Sequence, residues 1–569
     1  MTSNITALTA IIGSLLLTSC NDFLDKEPRD TFVNNTTFWS NSSSVESYTN
    51  KFYDNYVGYG YDGNYGWFYF KSLSDDQGNS GFDNWTFTTV PSTSTYWTDG
   101  FREVRRANYV IQNVASSTLT HNEKTYYTAV ARLNRAWSYY QLVREYGDVQ
   151  WLNEVITDPD DAHVYGVRND RDVVMDSVLA DLNFAIENLS VGTDKTKWSK
   201  HMALAMKSDV CLYEGTFSKY RTLDDNGKAP DPNRATKYLL LAAEASDELI
   251  NSKSYSLTST YGDVYNSMSL GTGSETIFYR NYEKDLVMHC LVAYTCNSAE
   301  QWGITKDAFD AFLFTDGKPL ATTSLDKSDK ASLNANAEYS ISAPLSRRDK
   351  RLSVLVDSVL CFKGHGWVRT DENGNQPGMS MTSSSGYTIR KYDNFNLDNH
   401  YRTSTTMGYT DAPLYWYAVV LLNKAEAKAE LGTITQDDLD KSVNLLLSRA
   451  GLPSLGLNPD ADPANDMNVS NLLWEIRRCR RCELMTDNWY RYWDLIRWHQ
   501  LDKLDTEKHP QLNLGANLSN VTDVAVSVNA DKYLIICNKT RKYDKKYYLF
   551  PVPTNELNLN HNISQNPGW

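Results

Sequence analysis

Phe101-Arg-Glu-Val104-Arg-Arg-Ala107-Asn-Tyr-Val110-Ile111 sets apolar residues at i, i+3, i+6, i+9 and i+10. That spacing lines one face of a helix. A second helix is predicted from Ala129-Val130-Ala131-Arg132-Leu133 through Tyr140-Gln141-Leu142-Val143, stopped at Gly147. Trp137, Tyr140 and Val143 form its apolar stripe, and Arg132 and Arg135 share the helix. Further helical patterns run at about 171–189, 200–219 and 234–251, then at about 413–431, 437–450 and 469–485. Helices paired across short turns suggest tetratricopeptide-like stacking, in which each pair buries its face on the next. A clean consensus repeat of about 34 residues is missing.

Two regions fall outside this pattern. Residues 55–100 combine Gly, Ser, Thr and Asn with many aromatics, among them Tyr56, Tyr59, Tyr61, Tyr65, Trp67, Tyr69, Trp85, Tyr96 and Trp97. Gly and Asn clusters mark turns, and a long irregular segment inside a folded domain is usually functional or disordered. The aromatic density argues against disorder. Residues 255–410 hold short β-prone runs and many turns, including Gly364-His-Gly-Trp-Val-Arg-Thr-Asp-Glu-Asn-Gly-Asn-Gln-Pro-Gly, and read as a loop-rich insertion beside the helices. The expected fold class is mainly α, a scaffold at about 101–251 and 411–500 with loop-rich parts at about 55–100 and 255–410, all within one domain over 51–569.

The chain has 569 residues, 41% hydrophobic and 22% charged, with a net charge of −14. These are globular proportions, and the negative charge opposes nucleic-acid binding. The 37 Tyr and 15 Trp supply flat apolar faces with polar edges, suited to binding surfaces.

The N-terminus bears on the compartment. Ala10-Ile-Ile-Gly-Ser-Leu-Leu-Leu17 is too short to span a bilayer, which needs ~20 residues. It leads into Leu17-Thr18-Ser19-Cys20, a signal-peptide pattern that looks like a bacterial lipobox. Residues 1–19 are then a signal peptide, Cys20 the lipidated first mature residue, and 20–50 a tether carrying Phe23, Leu24, Phe32, Phe38 and Trp39. Met1 to Thr9 lacks the usual Lys or Arg. The remaining cysteines are Cys211, Cys290, Cys296, Cys361, Cys479, Cys482 and Cys537, an odd number. Cys290 and Cys296 are close enough to staple a loop. Cys479-Arg-Arg-Cys482 lacks a second CxxC or a His pair for zinc, which leaves packing or a local disulfide.

Five segments in order resemble the SusD/RagB family of outer-membrane glycan-binding lipoproteins. They are Cys20-Asn-Asp-Phe-Leu-Asp-Lys-Glu-Pro28; Trp97-Thr-Asp-Gly-Phe101 to Asn108; Ala131 to Val149; Arg477-Arg-Cys-Arg-Arg-Cys-Glu483-Leu through Trp489-Tyr490-Arg491 to Trp498; and Tyr548-Leu-Phe-Pro551-Val-Pro553 with Gln565-Asn-Pro-Gly-Trp569. Cys479 and Cys482 depart from the family pattern. Glu483 and Arg491 are expected to pair in the core. The resemblance implies four tetratricopeptide-like pairs facing a TonB-dependent outer-membrane barrel, with variable loops holding the glycan.

Sugars need aromatic faces for their C–H surfaces and planar polar partners for their hydroxyls. Asp75, Asp76, Gln77, Asn79, Asp83 and Asn84 surround Trp85; Trp367 and Arg369 sit beside Asp371 and Asn373, with Tyr392 and Asn394 beyond; Tyr282, Cys296 and Trp302 are placed between. The expected glycan-binding residues are Trp85, Asp76, Asp83, Asn84, Tyr282, Cys296, Trp302, Trp367, Arg369 and Tyr392, with Trp85 foremost. Fructan, starch-like and host glycans all fit such a set. Catalysis would need two converging carboxylates; the adjacent acids Asp75-Asp76, Asp158/Asp160/Asp161, Asp224-Asp225 and Asp437-Asp438 read as solvated loops, and no HExxH, GxSxG or phosphate-loop motif occurs. Asn458-Pro-Asp460-Ala-Asp462 with Asn465-Asp466 lacks the Gly and Glu of an EF-hand. The expectation is a non-enzymatic glycan-capture lipoprotein without cofactor or metal. A surface glycosidase and a protein-binding tetratricopeptide adaptor are the alternatives.

Overall fold

The computed structural model describes residues 36–569 apart from 62–63, 159–160, 224–226, 298, 372, 376–377 and 523. The signal peptide, Cys20 and the first family segment lie outside the described residues, as do Asp160, Asp224 and Asp225. Of the residues expected as a tether, 36–50 are folded instead. Ser42–Thr49 is already a helix (α1), N-capped by Asn41, and Trp39 is buried against Tyr48 and Tyr109.

The scaffold begins with α2 (Thr95–Ser116) and α3 (His121–Tyr146). α3 starts at a capping box, in which Thr120 and Glu123 satisfy each other's backbone N–H groups. It stops at Gly147, whose φ of 72° favours glycine. α4 (Arg171–Asn188), α5 (Lys200–Tyr220) and α6 (Pro232–Asn251) follow, capped by Asp170, Ser199 and Asp231. Each packs on its chain neighbour. The stripes explain part of this: Val104, Ala107, Val110 and Val114 of α2 are buried with Leu133, Ala136, Tyr140 and Val143 of α3. Buried forks complete it. Arg135 of α3 grips Asp181 of α4 at 2.7 and 2.9 Å, and Glu214 of α5 receives Arg171 and Arg234.

After α6 the chain leaves the helices and returns. β4 (Thr276–Arg280) pairs antiparallel with β6 (Ala412–Trp416), Trp416 opposite Thr276 and Ala412 opposite Arg280. Residues 281–411 are thus an excursion closed at its base. The strand β6 corrects the expected helix from 413: the apolar run is continuous, but only Tyr417–Glu430 (α7) is helical, and the residues before it pair with β4. Four further short strands position the site: β1 (Gly60–Tyr61) with β2 (Asn64–Tyr65), and β3 (Gln77–Gly78) with β5 (Gly303–Ile304). The excursion builds a second hydrophobic core that also takes in α7, Val443, Leu446 and Leu447 of α8 (Val443–Arg449), and Ile476, Cys479 and Cys482 of α9 (Asn471–Glu483). All seven described cysteines are free thiols, so neither of the local disulfides that the spacing left open is formed.

α9 and α10 (Tyr490–Arg497) carry the densest buried charge. Glu426 of α7 accepts both Nη atoms of Arg497 at 2.6 and 2.7 Å and the Trp498 indole N–H at 2.6 Å. Arg477 donates to Glu430 and Arg480 to Asp494 and Asn423. Glu483 is held by Arg351 and Arg449, and Arg491 forks onto Asp75, so these two do not pair with each other as expected. Burial works against the Glu426 carboxylate, but Arg497 and its neighbours lower it to about 2.

Removing one partner of a buried charge pair costs about 3–5 kcal/mol. Glu426→Ala should therefore lose at least that much in urea denaturation. The folded pKa of Glu426 lies below its unfolded value, so its contribution is complete above about 4.5 and fades as pH falls toward about 2. Wild-type stability should drop across that window more steeply than that of Glu426→Gln, and parallel curves would contradict the assignment.

Candidate functional site

The 65–84 loop, the 294–304 segment and residues 382–384 meet on one face. β3 lies against β5, Gln77 opposite Ile304 and Gly78 opposite Gly303, while Glu300-Gln301 runs parallel to Thr382-Ser383. Gly303 is required by the crowding: a Cβ there would lie 2.0 Å from Ser385 Oγ and 2.5 Å from the Tyr387 carbonyl.

Five aromatic rings gather here. Trp302 is half-buried; Tyr69 stacks at 5.5 Å and Phe70 meets it edge-on at 5.9 Å. Tyr65, 52% exposed, lies 4.7 Å from Phe70 and shares a 2.7 Å hydroxyl–hydroxyl bond with half-buried Tyr294. That bond, with burial, pushes Tyr294 up to about 12. Uncharged and acidic polar groups flank the rings. Exposed Glu300 accepts from Ser384 Oγ at 2.7 Å, and the Ser80 N–H also reaches Ser384 Oγ.

The expected site residues divide sharply. Trp302 belongs to this face. Asn84 is exposed but turns its amide oxygen to the next backbone N–H, and half-buried Asp83 accepts from Asn79 and Ser72. Trp367 is half-buried with its indole N–H on Glu338. The other six are interior. Asp76 is bonded to Arg481 at 2.7 Å. Neighbouring Asp75 is forked by Arg491; burial works against its carboxylate, but Arg481 and Arg491 hold it well below the usual range. Arg369 spends its guanidinium on Asp357, Asp393 and the Ile389 carbonyl. Its Nη1 also lies 3.5 Å from Cys296 Sγ, where burial pushes the thiol up to about 12. Tyr392, fully buried, donates to Thr486 and Asp487. Tyr282 is buried with its hydroxyl on the Gly60 carbonyl at 2.5 Å, so it braces the β1–β2 hairpin that presents Tyr65.

Trp85 is corrected most plainly. It is 6% exposed, stacked on Tyr547 at 4.3 Å and 12°, and its indole N–H donates to the Lys542 carbonyl at 2.7 Å. It pins the loop to the C-terminal segment. Tyr294 and Phe70 went unselected in the sequence; Tyr65 stood among the aromatics of 55–100 without being singled out. A Tyr-rich loop was the available signal, but the partners lie more than two hundred residues apart.

The adjacent acids examined as enzyme candidates are mostly committed elsewhere. Asp161 pairs with His163, Asp437 with Lys441, and Asp438 caps a helix and takes Lys428. Asp462 is taken by Arg478 and Trp474 and Asp466 by Lys503. Among the described residues no His, Cys, Asp and Glu cluster is arranged to hold a metal ion, and no helix is long and apolar enough to cross a membrane.

Known proteins share this construction. The SusD family profile matches residues 263–569, and a profile described as "Starch-binding associating with outer membrane" matches residues 22–212. The chain belongs to the SusD family. The SusD-like protein P38 of Formosa agariphila is 25% identical over 530 residues, 87% of this chain and 91% of that protein. A SusD-like protein of Bacteroides ovatus is 25% identical over 273 residues, 44% of this chain, and the match spans 45% of that relative's length. Among solved structures, a SusD-like carbohydrate-binding protein from Bacteroides fragilis superposes with a TM-score of 0.69 at 18% identity, over 93% of this chain and 100% of that one. A laminarin-binding SusD-like protein gives 0.54 at 18% identity, over 93% of this chain and 99% of that one.

Replacing a large buried aromatic by Ala costs about 3–5 kcal/mol. Trp85→Ala should lower the melting temperature markedly, while Trp302→Ala should leave it nearly unchanged. Equal melting temperatures for the two would contradict the division drawn here.

Proposed function

We propose that the chain is a non-enzymatic, cell-surface glycan-binding lipoprotein. It captures an oligo- or polysaccharide on the Tyr65–Tyr294–Trp302 face and passes it to a TonB-dependent transporter. The supporting observation is the cluster of partly exposed rings beside Ser384, Glu300 and Ser80. A sugar ring lays its C–H face on an indole or phenol, and its hydroxyls bond tyrosine, serine and carboxylate oxygens. Family membership and the carbohydrate and laminarin ligands named for proteins of the same fold support the same reading. Of the residues first expected, Trp302 contacts the glycan, and Tyr282, Arg369, Cys296, Tyr392 and Asp76 support the loops that present it. Binding without hydrolysis fits the ion pairing of Asp75 and Asp76, which leaves neither carboxylate free to act as a nucleophile or proton donor.

A stacked aromatic contributes about 0.5–1.5 kcal/mol beyond the area it buries, and about 1.4 kcal/mol is tenfold in affinity. Trp302→Ala and Tyr65→Ala should each weaken binding to the glycan selected from an array by at least about tenfold in calorimetry, with no new reducing ends formed by either protein. Undiminished affinity in both variants would place the site elsewhere.

The anchor rests on Leu17-Thr18-Ser19-Cys20. Outer membranes dissolved in mild detergent should yield the chain with a TonB-dependent barrel. Cys20→Ala should lose lipid labelling and leave the membrane fraction. A mutant that fractionates as the wild type, or a chain recovered without a barrel, would count against the respective half of the proposal.

A further inference from the structure

A second cleft of about 540 Å³ opens on the scaffold side of the β1–β2 hairpin. Half-buried Trp67 lies in it with Trp137, their ring centroids 6.4 Å apart, and Tyr61 and Tyr96 line it as well. The hairpin divides this cleft from the face described above: Asn64 lines the cleft, whereas the next residue, Tyr65, bonds Tyr294.

One wall is a single face of α3, with Ser138, Gln141 and Glu145 at i, i+3 and i+7. Two of these side chains have unused polar capacity. Glu145 is 6% exposed, and its carboxyl has no hydrogen-bond or ion-pair partner among the described residues. The Gln141 Nε2 is buried and unpartnered, while its oxygen accepts from Arg144. A buried polar group without a partner costs free energy, and a hydroxyl entering the cleft would relieve that cost at Gln141 Nε2. Burial pushes Glu145 up to about 8 against the pull of Arg144 and Lys71. At neutral pH it is mainly a neutral acid, donor and acceptor at once. The fully charged residues of the lining pair among themselves: Lys51 with Asp54, Arg102 with Asp99 and Glu103, and Arg106 with Glu103.

Flat aromatic surface below, uncharged donors and acceptors on the wall and no free ion inside match a neutral, polyhydroxylated ring. They match an ionic ligand poorly, because it would lose water without gaining a counter-charge. We propose that this cleft is a second saccharide site, in which a neutral sugar stacks on Trp67 and bonds Gln141 and Glu145. The proposal borrows from the glycan-binding reading only the class of ligand.

The test counts ligands. Mature protein in detergent is equilibrated with a pool of neutral hexasaccharides of the malto-, laminari-, cello-, xylo-, manno- and inulo- series, and bound sugars per chain are read by native mass spectrometry. Wild type should bind two, and Trp302→Ala should keep one. In that background Trp67→Ala or Glu145→Ala should weaken the remaining site at least tenfold, and Glu145→Gln should retain it, since an amide supplies the same uncharged donor and acceptor. Melting curves identify a variant that fails to fold, and the Glu145 pair then decides the matter. A single bound sugar lost with Trp302→Ala overturns the second site and leaves the first. Residual binding indifferent to both Trp67 and Glu145 overturns it as well. Protection of Trp67 from oxidative labelling only when a co-purified barrel is present assigns the cleft to a protein partner instead. Binding of no member of the pool overturns both readings together.

Discussion

One helix face of guanidinium groups governs this molecule. Within two turns α9 sends Arg477 to Glu430, Arg478 to Asp462, Arg480 to Asp494, and Arg481 to Asp76 and Asp307, while Glu483 receives Arg351 and Arg449. Those partners lie on α7, on α10, in the loop before β3, in the excursion and, for Arg449 and Asp462, in the stretch between α7 and α9. Each ion is costly to take out of water, and only close, multiply bonded counter-charges repay it. The arrangement therefore tolerates little displacement of any one partner. Arginine suits the task because its planar fork binds carboxylates bidentately.

The consequence reaches the surface. Arg481 and Arg491 fix Asp75 and Asp76, those residues lead straight into β3, and β3 fixes β5 beside Trp302. Lys391, buried on Asp487, and Tyr392 on Thr486 secure the neighbouring stretch in the same way. The partly exposed rings are thus held in place through buried ion pairs. Preorganisation of this kind spares a binding surface the entropy of ordering its loops.

Most of the helical scaffold was legible because its signals are local. The stripe of α2, the stop at Gly147 and the helix over Asn471–Glu483 all follow from residues a few positions apart. β6 was not legible, since Ala412–Trp416 runs without a break into the apolar start of α7 and only its pairing with β4 makes it a strand. The site shows the same limit. The loops that carry the partly exposed rings stood out by composition, and Trp302 among them. Yet Asp76 and Arg369 looked like sugar ligands because their partners, Arg481 for one and Asp357 with Asp393 for the other, are set by the fold. Trp85 misled for the same reason: Tyr547 lies at the far end of the chain. The expected pairing of Glu483 with Arg491 failed because each faces a different segment.

The closed base of the excursion has a bearing on descent. Residues 281–411 leave and rejoin the helices through one antiparallel pair, Thr276–Arg280 against Ala412–Trp416. Insertions, deletions and drift inside such an enclosed span need not disturb the helices on either side, provided the pair and a few buried ions such as Arg351 and Lys391 are kept. In a lineage built this way the enclosed span drifts while the helical frame stays still. Relatives with 18% identity that nevertheless superpose over 93% of the chain are what such a division of labour would leave behind.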